Sequence, residues 1–494
     1  MKKIIAAALA LILALGLCAC GETLDWDSIY DGTASEEVYA KAIADLEKRA
    51  GKGDAGAMLG LGYLYDLGYG VEEALSKAFD WYTKSAELGN TIAMCNLGIM
   101  YEYGRGGEQD YGKAIELYKK AIDLGDTDAM CDLGNLYYSG SGTQQSFDAA
   151  INWYTKAAEL SNADAMNLVG DMYYSGEGVE QDYDTAFDWY TKAAEFGQAD
   201  AMFNLGYMYT YGEGVEQDYD AAFDWLTKAA ELGQADAMLD LGYLYDWGYG
   251  VEEDLSKAFD WYTKSAELGN AEAMLNLGIM YEYGDGVEQD YGAAVDWYTK
   301  AAELGDTIAM NHLGTMYHSG SGVEQDYDAT LDWLTKAAEL GYSDAMLNLG
   351  YMYTYGEGVE QDYDAAFDWC TKAAELGDAD AMNLVGEMYA SGEGVEQDYG
   401  VALGWFTKAA ELGNADAMCY LGFMYGAGKG VEQDHDAEFD WYTKAAELGS
   451  DEAMLRLGLM YKLGEGVEMD ESTANEWYKK AADAGNEIAA VFLR

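Results

Sequence analysis

The sequence predicts an all-α chain, an α-solenoid of twelve stacked 36-residue helix-loop-helix repeats. Three observations lead there. An Ala-Met pair recurs at a spacing of 36 from Met58 to Met454 without slippage, and eleven tryptophans from Trp81 to Trp477 keep the same period, broken only at Leu117. Within each period, two runs show apolar residues three or four apart, which is one face of an α-helix. The chain has 60 glycines and no proline, so glycine alone shapes its loops. A length of 494 residues would ordinarily suggest several domains, but a fixed repeat makes a continuous array the simpler reading.

The first element is a leader. Lys2 and Lys3 precede an apolar stretch over residues 4–17, the layout of a secretory signal peptide over residues 1–19. The stretch is too short to span a bilayer comfortably. Leu17-Cys18-Ala19-Cys20 resembles the bacterial lipobox. That resemblance implies lipidation of Cys20, with residues 20–34 forming the lipidated end and a tether. The expected location is therefore secreted, in a bacterial cell envelope and lipid-anchored to its membrane. The alternative is cleavage without lipid and free release. Residues 35–53 match the second half of a repeat (Ala42, Lys48, Ala50 and Gly53 against Ala78, Lys84, Ala86 and Gly89) and read as an N-terminal capping half-repeat. The twelve repeats fill residues 54–485. Residues 486–494 begin a further unit and read as a C-terminal capping half-repeat.

Residues 198–233 represent one repeat, QADAMFNLGYMYTYGEGVEQDYDAAFDWLTKAAELG. In the first helix, Ala201, Leu205 and Tyr209 share a face. Asn90, Asp126, Asn162 and Asn270 are good helix caps, whereas Gln198, Gln234 and Tyr342 are poorer ones. Gly206 lies mid-helix, where glycine costs roughly 1 kcal/mol against alanine; its recurrence implies close approach to another helix. Gly212 and Gly214 shape the loop, and Asp218 caps the second helix. Ala222, Trp225, Leu226 and Ala229 share that helix's apolar face, and Gly233 ends it.

The pattern AM..LG.MY..GEGVEQDYD.A..WYTKAAELG resembles the Sel-one-like repeat, a tetratricopeptide-type helical hairpin. The resemblance covers residues 54–485 and implies a right-handed superhelix that scaffolds protein complexes, with the first helices lining its concave face. Relatives usually carry proline before the Gln-Asp of the loop; here the residue is mostly glutamate, as at Glu180 and Glu216. Near-identical blocks, residues 58–104 against 238–284, point to duplication within the array.

The formal charge of −62 repels phosphate backbones and excludes nucleic acid as a partner. It suits solubility, and it suits a protein or peptide partner, including a cationic one. Comparison among repeats separates recurring positions, read as fold determinants, from free ones. The free first-helix positions supply the candidate partner-binding residues Phe203, Asn204, Tyr207, Leu239, Tyr243, Asn311, His312, Tyr420 and Phe423; neutral drift at exposed positions is the bland alternative. No HExxH, CxxC or Ser-x-x-Lys is present, so neither a catalytic set, a cofactor nor a histidine- or cysteine-based metal site is expected. Cys95, Cys131 and Cys419 occupy equivalent positions in different repeats, too far apart for a disulfide. The expected function is an envelope-anchored interaction scaffold. Two alternatives are an acidic Ca²⁺-binding surface protein, using loop carboxylates such as Glu213, Glu216, Asp218, Asp220 and Asp224, and a β-lactamase-like hydrolase.

Overall fold

The computed structural model describes residues 28–29 and 32–493; Cys20 and the leader lie outside the described residues. Those residues form helix pairs in the expected register, beginning with Ala55–Leu67 and Leu75–Glu87 and ending with Asp451–Leu463 and Glu471–Asp483. The chain divides into two compact units, one running to Leu241 with Tyr249–Val251, the other comprising Gly242–Gly248 and Glu252 onward. Within each unit successive pairs pack side by side, as in an α-solenoid.

The repeat Ala199–Tyr211 and Tyr219–Glu231 shows why these residues fold this way. The first helix buries Ala201, Leu205, Gly206 and Met208, and the second buries Ala222, Leu226, Ala229 and Ala230. Each large side chain so buried is worth about 1.5–3 kcal/mol. The glutamines cap better than their type suggests: Gln198 accepts from the Ala201 amide, and Gln234 from that of Ala237 at 2.8 Å. Their longer side chains still reach the free N–H groups of the first turn. Tyr342, as expected, makes no side-chain cap.

The loop is fixed without proline. The Gln217 amide donates to the Thr210 carbonyl at 2.7 Å and to the Tyr219 hydroxyl at 2.9 Å, tying the end of the first helix to the start of the second. Asp218 then accepts from the Asp220 and Ala221 amides, both at 3.0 Å. Gly214 has φ +70°, and a Cβ there would stand 2.8 Å from the backbone of Tyr183 in the preceding repeat. Each loop therefore rests on the second helix of the repeat before it.

The mid-helix glycine makes its close approach to a side chain. At Gly170 a Cβ would lie 2.5 Å from the ring of Tyr190, a fully buried residue of the same repeat's second helix. Trp225 departs from expectation. It is half-buried at the edge of its helix rather than in the core, with the Lys228 ammonium 3.9 Å from its ring centroid. The same pair recurs wherever the tryptophan occurs, for instance Trp297 with Lys300 at 3.7 Å, which is why lysine and tryptophan repeat together. Neighbouring repeats also meet edge-to-face through Phe187 and Tyr209, 5.6 Å apart.

Before the first pair, Glu36–Ala50 buries Tyr39, Ala42, Leu46 and Ala50. After the last, Phe492 stacks on Tyr478 at 5.0 Å.

Candidate binding surface

The variable positions of the first helix serve two purposes. Many link adjacent repeats. Asn204 donates to Asn167 at 3.1 Å and to Asp171 at 3.2 Å, and Asn348 donates to Asn311 at 2.9 Å. Asn276 donates to the Tyr243 hydroxyl at 3.0 Å, while that hydroxyl donates to Glu272 at 2.7 Å. His312 stands 3.3 Å from Glu282 and stacks on Tyr298 at 4.8 Å, so it is held within the array and apart from His318, which pairs with Glu357 at 3.0 Å. Leu239 requires correction: it is 5% exposed and belongs to the core. Its position faces the start of the next repeat, as Cys131 shows by pointing its thiol at Asn162, so a large side chain there is covered by the neighbouring pair.

The remaining candidates converge on two surface cavities, one in each unit. In the first unit a cavity of about 600 Å³ is lined by Phe203, Asn204 and Tyr207 together with Tyr138, Tyr174, Asp171 and Glu177, among others. Three consecutive repeats contribute. Phe203 and Tyr207 come from one first helix, their rings 6.4 Å apart, and Tyr207 meets Tyr174 edge-to-face at 6.5 Å. Asp171 accepts from the Tyr190 hydroxyl at 2.9 Å and from Asn167 at 3.1 Å, besides Asn204. All these donors are neutral. Burial consequently pushes its carboxyl up to about 6, against the opposing pull of those hydrogen bonds. Glu177 accepts from the Tyr138 hydroxyl and Glu213 from that of Tyr174. In the second unit Tyr420 and Phe423 are 36% and 48% exposed and line a cavity of about 450 Å³ with Glu387, Asp416 and Arg456.

Tyr138, Tyr174, Asp171 and Glu177 were not among the sequence candidates, although a signal existed. The position of Tyr138 and Tyr174 holds a carboxylate in other repeats, and that carboxylate accepts from the second-helix tyrosine: Tyr118 to Glu102 at 3.0 Å, Tyr262 to Asp246 at 3.1 Å. Where tyrosine replaces it, the acceptor moves three residues earlier, to Asn135 or Asp171. These paired exchanges are visible when the repeats are aligned with one another.

Two further chemistries fare less well. Among the described residues no three His, Cys, Asp or Glu side chains are grouped to hold a metal ion; Asp218 is occupied in capping and Glu213 by a tyrosine. Cys95, Cys131, Cys370 and Cys419 are free thiols, and burial pushes all four up, Cys370 to about 12, which makes them poor nucleophiles. No helix among the described residues is long and apolar enough to cross a membrane.

The Sel1 repeat model matches twelve consecutive segments, from residues 55–90 to residues 451–486. The chain belongs to the Sel1 repeat family. Its Sel1 repeats resemble those of c5321, described as a protective antigen present in uropathogenic Escherichia coli strains and displaying this fold. That match has 35% identity and a TM-score of 0.65, and it covers 84% of this chain and 89% of the other. A Sel1 repeat protein from Oxalobacter formigenes is also 35% identical, with a TM-score of 0.52 over 62% of this chain and 89% of its own. No protein of curated function matches significantly. Arrays of Sel1 repeats are in general non-enzymatic scaffolds for protein–protein interaction.

Proposed function

We propose that this Sel1 repeat protein is an envelope-anchored scaffold, tethered through lipid on Cys20, that binds protein or peptide partners along the face built by its first helices. The observation that carries this reading is the convergence of positions free to vary, Phe203, Asn204 and Tyr207 in one unit and Tyr420 and Phe423 in the other, on surface cavities. Aromatic side chains at such cavities bring large contact area at low entropic cost, as interface hot spots do. The lipobox resemblance supports the anchor, since several acyl chains hold a protein durably where one does not.

Photo-crosslinking in intact bacteria tests the binding face. A benzophenone amino acid at Phe203 or Phe423 of the full-length protein should capture discrete envelope partners, and one at exposed Leu232 or Leu448 should not. Equal capture at all four sites would refute the assignment. For the anchor, Cys20→Ala should abolish incorporation of radiolabelled palmitate and shift the protein from membrane to soluble fractions; unchanged labelling would exclude Cys20.

A further inference from the structure

The first-unit cavity is walled by residues that depart from their equivalents in the other repeats. Phe203 is the only phenylalanine at its repeat position, and Tyr138 and Tyr174 are the only tyrosines at theirs; the equivalents include Asp66, Glu102, Asp246 and Glu282. These departures fall in three consecutive repeats and meet in space. The rings of Phe203, Tyr207 and Tyr174 line the cavity with two carboxylates, Asp171 and Glu177, and its lining includes no lysine, arginine or histidine. Elsewhere tryptophan faces are already covered by lysine, as at Lys192 on Trp189, 4.2 Å away. Here aromatic rings and two carboxylates share one cavity with no cation of the chain in its lining. Their present donors are all neutral, and Asp171 Oδ2 and Glu177 Oε2 each accept from one of them, which leaves acceptor capacity for a charged donor.

Such a wall attracts a cation through ring quadrupoles and through charge. The guanidinium group fits both at once, since its plane stacks on aromatic rings while its edge forms paired hydrogen bonds to a carboxylate. An ammonium offers only a point charge. A volume of about 600 Å³ accommodates one long side chain and adjacent backbone. We infer that this cavity receives an arginine side chain of a partner polypeptide, Asp171 and Glu177 taking the guanidinium and Phe203, Tyr207 and Tyr174 enclosing it. The inference rests on the scaffold reading and adds the chemistry of one contact to it.

Saturation-transfer difference NMR on the full-length protein at 150 mM salt tests it with the blocked tripeptide Gly-Arg-Gly and its citrulline counterpart, which keeps shape and loses charge. The arginine peptide should bind at least tenfold more tightly. Phe203→Leu with Tyr207→Ile should remove that preference; the chain itself uses Leu239 and Ile279 at those positions, so the fold is retained. Phe423→Leu, in the other unit, should leave it unchanged. Equal binding of the two peptides, or a preference that survives the double substitution, overturns the inference. Partner capture at Phe203 or Phe423 in either case would leave the scaffold reading standing, whereas absence of capture at both would remove the two readings together.

Discussion

Asp132 sits at the same repeat position as Asn204, Asn276 and Asn348, which donate hydrogen bonds across the repeat boundary. An ionised carboxylate cannot donate. Burial, together with the negative charges of Asp128, Glu102 and Asp126, pushes Asp132 up to about 8 from an ordinary 3.8. Because the folded-state value is raised, the folded state holds this proton more tightly than the unfolded one. The penalty is absent below about pH 4, grows as pH rises, and is complete above about pH 8. At about 1.4 kcal/mol per pH unit, it would reach roughly 4 kcal/mol at pH 7 for a dry site. Asp132 is only half-buried by surface area, and with an effective dielectric near 20 we expect about 1–2 kcal/mol. Asp132→Asn should therefore slow hydrogen exchange in peptides spanning residues 95–154 roughly 5- to 30-fold at pH 7.5, after correction for intrinsic rates. At pH 4.5 the difference should almost vanish. Equal protection of the two proteins at pH 7.5, or a gain at pH 4.5 as large as at pH 7.5, would refute the reasoning.

Gly170→Ala should destabilise its repeat by about 1–3 kcal/mol through overpacking against the Tyr190 ring, despite the higher helix propensity of alanine; Gly170→Ala with Tyr190→Ala should not add the two losses, read by local hydrogen exchange in a double-mutant cycle. Lys228→Met should cost about 0.5–1 kcal/mol by removing the ammonium from the Trp225 ring, visible as a shift in tryptophan emission and faster exchange in Tyr219–Glu231. Gln217→Ala should expose the Thr210 carbonyl and loosen the loop by about 1 kcal/mol, increasing protease cleavage between residues 211 and 218 and nowhere else. Arginine-peptide binding to the first-unit cavity should weaken as pH falls from 7.5 to 5, because burial holds Asp171 at about 6 in the free protein; an affinity constant across that range would exclude Asp171 as the anion.

Repeat length, helix boundaries and much of the core were legible because each obeys a local rule. The 36-residue spacing, the apolar residues three and four apart and the loop glycines all act within one helix pair, and an identical solution recurs twelve times. Even the caps followed, apart from glutamine, whose extra methylene carries its carbonyl to the free amides. The candidate surface was only partly legible. Phe203 and Tyr207 stood out because their positions vary from repeat to repeat, yet variability does not distinguish a residue facing solvent from one covered by the next repeat. Leu239 was lost that way, and His312 proved to be engaged with Glu282.

The sequence by itself determined the all-α class, the family and the register of every helix pair, because periodicity and capping depend on residues within a few positions of each other. Only the tertiary structure decided that Trp225 lies at an edge under Lys228, that Gly170 makes room for the Tyr190 ring, and that Tyr138, Tyr174, Asp171 and Phe203 share one cavity. Those residues lie up to 65 positions apart, and their meeting follows from the packing of one helix pair on the next, which no single period of the sequence contains.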